Sequence, residues 1–148
     1  MNISLSEQVR VYPKGEVLFR EGDKATHMLL VKSGRILCLK SSKDRLIPVQ
    51  HASAQSIVGE EAVLTNSQHQ YSAVCLDEVE VVEIDAQLIR GSLNAAPHWI
   101  KSLLTTLGER LNETAAAISE HRIISTDLSG GSELPPEEEN RLRKLLDQ

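Results

Sequence analysis

The sequence predicts a mainly β protein with C-terminal helices: an antiparallel barrel or jelly roll followed by one long helix. Three observations predict it. Short apolar runs recur at close spacing as far as Ile84, with Gly, Pro, Asp and Ser between them, which is the mark of many short strands. At Asp85 the apolar period changes from that of a strand to that of a helix. From His98 to about Ser125 a seven-residue repeat then continues for about three heptads, interrupted only by Gly108.

Taken in order, residues 1–12 are a polar-apolar lead-in, read as a brief helix or an arm. Pro13-Lys14-Gly15-Glu16 is a turn before the strand Val17-Leu18-Phe19, and Glu21-Gly22-Asp23 is a turn before His27 to Val31. Ser33-Gly34 breaks that strand, Arg35 to Lys40 runs extended, and Ser41 to Asp44 forms a hairpin loop returning along Arg45 to Val49. Ile57-Val58, Tyr71 to Leu76 and Glu78 to Ile84 complete the strands, so the barrel is placed at residues 13–97. Asp85 is a candidate N-cap for a short helix, because its carboxylate can accept from the free amides of the first turn. Asn94-Ala95-Ala96-Pro97 is a break with proline at the next helix start.

The helix at 98–125 carries Ile100, Leu104, Leu107, Leu111, Thr114 and Ile118 at alternating spacings of four and three. Such a seam either covers the barrel of its own chain or pairs with a second copy, and a homodimer is expected through these six residues. Residues 126–148 read as a linker and a short amphipathic helix. Its acids precede its bases, matching the helix dipole. Leu142, Leu145 and Leu146 give that helix one apolar edge, which is either a frayed tail or a dock for an unidentified protein partner.

Composition narrows the function. A chain of 148 residues with 41% hydrophobic and 25% charged residues suits one globular domain with a core and tails. A net charge of −5 argues against a nucleic-acid footprint, which is basic, and 3% aromatics leaves few rings for stacking bases. No apolar run reaches a spanning length and no signal-peptide core opens the chain, so a cytoplasmic location away from membranes is expected. Cys38 and Cys75 form either a disulfide or, in a reducing compartment, two free core thiols.

The centre of the chain is Ile57-Val58-Gly59-Glu60-Glu61-Ala62-Val63-Leu64, followed by Tyr71-Ser72-Ala73-Val74. A glycine before an acid at a strand end lets the backbone approach a ligand, and the next amides open a short helix whose start favours an anion. A carboxylate beside that turn can accept from a sugar hydroxyl.

With the flanking Gly15-Glu16-Val17-Leu18-Phe19-Arg20-Glu21-Gly22-Asp23 and Val31-Lys32-Ser33-Gly34-Arg35, this order of motifs resembles the cyclic-nucleotide-binding domain superfamily of the catabolite activator and the protein kinase A regulatory subunits. The resemblance covers about residues 10–124. It implies a β jelly roll, a phosphate-binding cassette opened by Gly59, and a dimerisation helix after Pro97. By position, Glu60 would bind the ribose 2′-hydroxyl, and the amides of Glu61 and Ala62 would meet the cyclic phosphate of cAMP or cGMP. Ser72 and Ala73 match the positions after the phosphate-binding arginine, and Thr114 matches a helix residue at the adenine edge. Ligand would then shift the long helix, and a partner protein would read the shift.

The arginine position itself is Tyr71. A guanidinium meets a phosphate with paired, charge-assisted hydrogen bonds, and a phenol brings no charge. Losing such a bond is worth roughly 1.5–3 kcal/mol, about one to two decades in affinity. Three outcomes follow: weak nucleotide binding, rescue by Arg20, Arg35 or Arg45, or no nucleotide at all. The last makes the fold a nucleotide-blind interaction scaffold. Five scattered histidines give no metal spacing, and no cofactor is expected. Glu60 and Glu61 stand without a nucleophile or a Ser/His/Asp arrangement, so no catalysis is expected either. The residues after Thr126 are too few and too acidic for a helix-turn-helix, and DNA binding is not expected.

Overall fold

Turn residues cut residues 8–85 into eight strands: Gln8–Tyr12 (β1), Val17–Phe19 (β2), His27–Ser33 (β3), Ile36–Ser42 (β4), Arg45–Ala52 (β5), Ile57–Val58 (β6), Ser72–Cys75 (β7) and Val79–Asp85 (β8). Helices are Glu60–Thr65 (α1), between β6 and β7, then Ala86–Ala95 (α2), His98–Ser125 (α3) and Pro136–Leu146 (α4). The structure is a computed structural model. It describes residues 8–125 and 134–148, with side chains described outside 115–125.

The strands form two antiparallel four-stranded sheets, β1-β8-β3-β6 and β2-β7-β4-β5. Their inner faces enclose Phe19, Leu29, Val31, Ile36, Cys38, Val58, Tyr71, Ala73, Cys75, Val79 and Val81. This is the expected jelly roll. One boundary moves: Gln8–Tyr12 is a strand of the barrel, paired along its length with β8, and neither a helix nor an arm. Val9 and Val11 on it are 55% and 58% exposed, so this stretch lacks the buried face that marks a strand.

Strand β4 explains the tail. Ile36, Leu37, Cys38 and Leu39 are all buried, yet a strand shows only alternate residues to one core. Ile36 and Cys38 face inward, whereas Leu37 and Leu39 join Leu46, Val74 and Leu142 in a second cluster on the outer face. Helix α4 therefore docks on its own barrel, with Leu142 only 1% exposed. Glu139 fixes the register: its Oε1 accepts from the Leu46 N–H at 2.9 Å and from Arg143 at 3.1 Å, and Arg45 stands 3.4 Å from its Oε2. The predicted linker, Asp127 to Ser132, lies outside the described residues.

Helix α2 starts where expected, with the Asp85 carboxylate accepting from the Gln87 and Leu88 amides at 2.7 and 3.1 Å. Helix α3 crosses α1 at Gly108, where a Cβ would lie 3.0 Å from Leu64 Cβ and 3.2 Å from Thr65 Cγ2. Glycine there allows close approach of the two helices. On the same ridge Asn112 donates to Thr65 Oγ1 at 3.3 Å, and Ile100 and Leu104 are half-buried.

The residues of the predicted seam do not share one exposed face. The exposed apolar ridge of α3 is Trp99, Leu103, Leu107 and Leu111. The repeat in the sequence had combined two neighbouring ridges, one resting on α1 and one free. Leu107, Leu111 and Thr114 are exposed, and the Ile118 side chain lies outside the described residues.

Candidate ligand site

Strand β6 ends at Gly59, whose φ of +82° is open to glycine and strained for other residues. A Cβ there would also lie 3.1 Å from the His69 ring, so the turn is tight on both counts. It delivers Glu60 and Glu61 to the start of α1. Between α1, β5, the residue before β7 and α3 lies a cavity of about 220 Å³, lined by Val49, Gln50, Glu60, Glu61, Tyr71, Leu111 and Thr114.

Tyr71 is 5% exposed, and its hydroxyl is engaged at both ends. The oxygen accepts from the Gly59 N–H at 3.2 Å, and the proton is donated to Glu61 Oε2 at 2.9 Å. Burial, with the nearby Glu61 charge, pushes this phenol far above its ordinary range, so it stays a donor. Phe19 stacks on His69 at 3.7 Å and meets Tyr71 at a tilt of 49° with ring centres 5.7 Å apart. His69 Nδ1 stands 3.8 Å from Glu61 Oε1, too far for a hydrogen bond. His69 itself lines a second, more polar cavity of about 160 Å³ with Tyr12, Asp23, His27 and Glu83.

Glu61 is 2% exposed, and neither Glu61 Oε1 nor Glu60 Oε2 finds a hydrogen-bond partner in the protein. Burial pushes the Glu60 carboxyl up to about 7; its own amide opposes the rise and the Glu61 charge adds to it. Among the described residues, no lysine or arginine lines this cavity.

The three arginines considered as substitutes are placed elsewhere. Arg20 donates to the Leu146 carbonyl, Arg35 forks onto Asp77, and Arg45 stands against Glu139. Lys40 reaches the Gln70 carbonyl at 2.9 Å, one residue before Tyr71, and is paired there with Glu21.

Of the residues singled out by sequence, the fold brings Glu60, Glu61, Tyr71 and Thr114 to one cavity, with Gly59 and Ala62 directly behind it. Ser72 and Ala73 do not line it. The Ser72 hydroxyl accepts from the Glu21 N–H at 2.9 Å, and Ala73 lies in the core with no exposed surface. Thr114 donates to the Arg110 carbonyl at 2.8 Å, so its hydroxyl proton is held within α3.

Sequence reasoning valued Glu61 for its amide and missed its side chain as a buried acid. The signal was an acid set between the buried apolar residues Val58, Ala62 and Val63. Val49 and Gln50 carried no motif. Cys38 and Cys75 are free and buried, and burial raises both thiols, Cys75 to about 12.

A two-sheet barrel with a short helix set between strands, a cavity behind it and a long helix across its mouth is the plan of a small-ligand regulatory domain. The chain belongs to the cyclic nucleotide-binding domain family, which it matches over residues 9–95. It is 25% identical over 122 residues to the CRP-like cAMP-activated global transcriptional regulator of Mycobacterium tuberculosis, covering 80% of this chain and 53% of that one. The chain thus spans about half the length of that relative. The fold is similar to the EAL enzyme Bd1971 in its cAMP-bound form, with TM-score 0.69, 22% identity, and coverage of 78% of this chain and 31% of that one. A putative cAMP-binding regulatory protein from Silicibacter pomeroyi DSS-3 is also similar, with TM-score 0.62, 21% identity, and coverage of 86% and 56%. Among the described residues no helix is long and apolar enough to cross a membrane.

Proposed function

We propose that this chain is a non-catalytic signalling module, a cytoplasmic dimeric sensor or adaptor whose degenerate phosphate subsite binds cyclic nucleotides weakly. One observation carries the reading: the Tyr71 hydroxyl links the Gly59 N–H to the buried Glu61 carboxylate. A cyclic phosphate entering there would compete with Tyr71 for that amide and would face a carboxylate in place of a guanidinium. The lost charge-assisted bond alone weakens binding by about one to two decades.

Signal would leave through α3. Leu111 and Thr114 line the cavity, while Gly108 and Asn112 rest on α1. A ligand acts in such a device only through different affinities for two helix positions. The exposed ridge Trp99, Leu103, Leu107 and Leu111 is the surface for the second copy, and a partner protein reads the helix. The cAMP-linked relatives support a ligand-driven ancestry for the fold.

A second reading rests on the cavity having no cationic lining among the described residues: a nucleotide-blind scaffold that binds partners by its helices. Calorimetry with cAMP and with cGMP separates the cases. Dissociation constants of about 10 µM or tighter would overturn the degenerate subsite. Heat only at high micromolar ligand fits a weak sensor, and no heat with either nucleotide favours the scaffold.

A further inference from the structure

Two buried polar atoms without hydrogen-bond partners face each other in this fold: Glu61 Oε1 and His69 Nδ1, 3.8 Å apart, on residues 2% and 3% exposed. An orphan carboxylate oxygen and an orphan ring nitrogen are each costly, and one proton between them satisfies both. The gap is just beyond hydrogen-bond reach, so a small closing movement completes the bond.

The backbone of His69 is fixed on both sides. The Gly22 N–H donates to its carbonyl at 2.8 Å, and its own N–H donates to the Asp23 carbonyl at 2.9 Å. Its ring stacks on Phe19 and lies against the Gly59 turn, where a Cβ would meet Cε1 at 3.1 Å. The other oxygen of Glu61 accepts from Tyr71, whose oxygen accepts from the Gly59 N–H. These four groups form a chain that begins and ends at one turn. Drawing Glu61 toward His69 therefore draws Oε2 from Tyr71 and loosens the hold of Tyr71 on the Gly59 amide.

We propose that Glu61 and His69 form a proton-operated latch on the Gly59 turn. With a neutral ring, Nδ1 carries the proton and points at Glu61, whose charge keeps the Tyr71 hydroxyl engaged. A second proton, on Nε2, makes the ring a cation, cancels the Glu61 charge and pulls the carboxylate off Tyr71. The polar cavity that His69 lines gives protons a path to the ring. The Gly59 amide is then released beside a cavity that has lost one negative charge, which is the condition for a phosphate to enter. Imidazole suits the task, because it changes charge between about pH 5 and 8. This rests on the degenerate-subsite reading above and names acidification as the signal that regulates that site.

The other ionisable groups around the pair have their own arrangements. On the polar-cavity side stand Tyr12, Asp23, Lys24, His27 and Glu83. Glu83 is paired with Arg10 and Tyr12, Asp23 accepts from the Arg20 N–H, His27 meets the Thr26 hydroxyl, and Lys24 is exposed. On the side of the acid, burial raises Tyr71 and Cys38 far above neutral pH. Glu60, raised by burial to about 7, changes charge in the same window and is to be separated by substitution.

The test follows the ring nitrogens of His69 and the backbone amides in ¹H–¹⁵N spectra of the full chain from pH 8 to pH 5. At pH 8 the ring is expected to be protonated at Nδ1 alone, and at pH 5 at both nitrogens, with the Gly59 and Tyr71 amides shifting in step. Those amide shifts should persist in Glu60→Gln and in His27→Gln and vanish in His69→Gln. A bare Nδ1 at pH 8, a ring that takes up no proton by pH 5, amide shifts that survive His69→Gln, or their loss in Glu60→Gln or His27→Gln each overturn the latch. The ring reading on the wild-type chain decides even where a variant fails to fold. A cAMP titration at pH 8 reads the parent proposal separately: a dissociation constant of about 10 µM or tighter sinks the degenerate subsite, whereas a bare Nδ1 sinks only the latch.

Discussion

Tyr71 stands where the family resemblance places an arginine, and its hydroxyl holds Gly59 to Glu61 across the mouth of α1, 3.2 Å from one and 2.9 Å from the other. The pair is mutually dependent. An arginine at 71 beside Glu61 would make an ion pair with that carboxylate before it could serve a phosphate.

Tyr71→Arg alone is therefore expected to change cAMP affinity little. Glu61→Leu with Tyr71→Arg removes the competing acid and should tighten cAMP by about one to two decades. Calorimetry on both variants checks this. A single variant as tight as the double would show that Glu61 does not compete for the guanidinium.

The outward ridge of α3 is the proposed contact between two copies. Leu103→Glu or Leu107→Glu places a charge in the proposed seam, and light scattering should then report monomers. Leu104, half-buried on the ridge that faces α1, is the contrast: Leu104→Ala should lower stability and leave the assembly intact. Dimers persisting in both glutamate variants would place the contact elsewhere.

Glu60 makes folding depend on pH. Burial raises its carboxyl from an ordinary 4.5 to about 7, so between those values the folded chain holds a proton that the unfolded chain has released. Its contribution is fully present below about 4.5 and is lost as pH rises through 7. Part of the group reaches solvent, so the effect is on the order of 1–2 kcal/mol. Urea midpoints at pH 5 and pH 8 should show Glu60→Gln gaining on the wild type at the higher pH. A constant difference between them would remove Glu60 as the cause.

Gly108 should resist the usual helix-stabilising change. Alanine gains about 1 kcal/mol of helix propensity over glycine, but its methyl would lie 3.0 Å from Leu64 Cβ. Gly108→Ala is expected to give no net gain in melting temperature, and Gly108→Leu should cost roughly 1–3 kcal/mol as α3 lifts from α1. A stabilised leucine variant would mean that the crossing is loose.

Much of this molecule was legible from its sequence, because turn residues and period changes are local signals. The Gly59-Glu60 step, the Asp85 cap and the start of α3 after Pro97 needed only their neighbours to be recognised. What stayed hidden depends on distant partners. Leu37 and Leu39 read as one side of an ordinary strand until α4, a hundred residues later, is seen to cover them. The ridge of α3 that faces out is chosen by where Gly108 meets α1, which a heptad count does not contain. The Glu61 side chain was given no role because its partner, the Tyr71 hydroxyl, lies ten residues further on.

Glu139 has one more consequence. Among the described residues strand β5 is an edge of its sheet, and the Glu139 carboxylate occupies the outward amide of Leu46 there. An unblocked margin of this kind recruits strands from other molecules. Helix α4 thus also acts as a guard against fibrous self-association: a chain trimmed ahead of Pro136 would bare both a sticky leucine patch and a ready template for stacking.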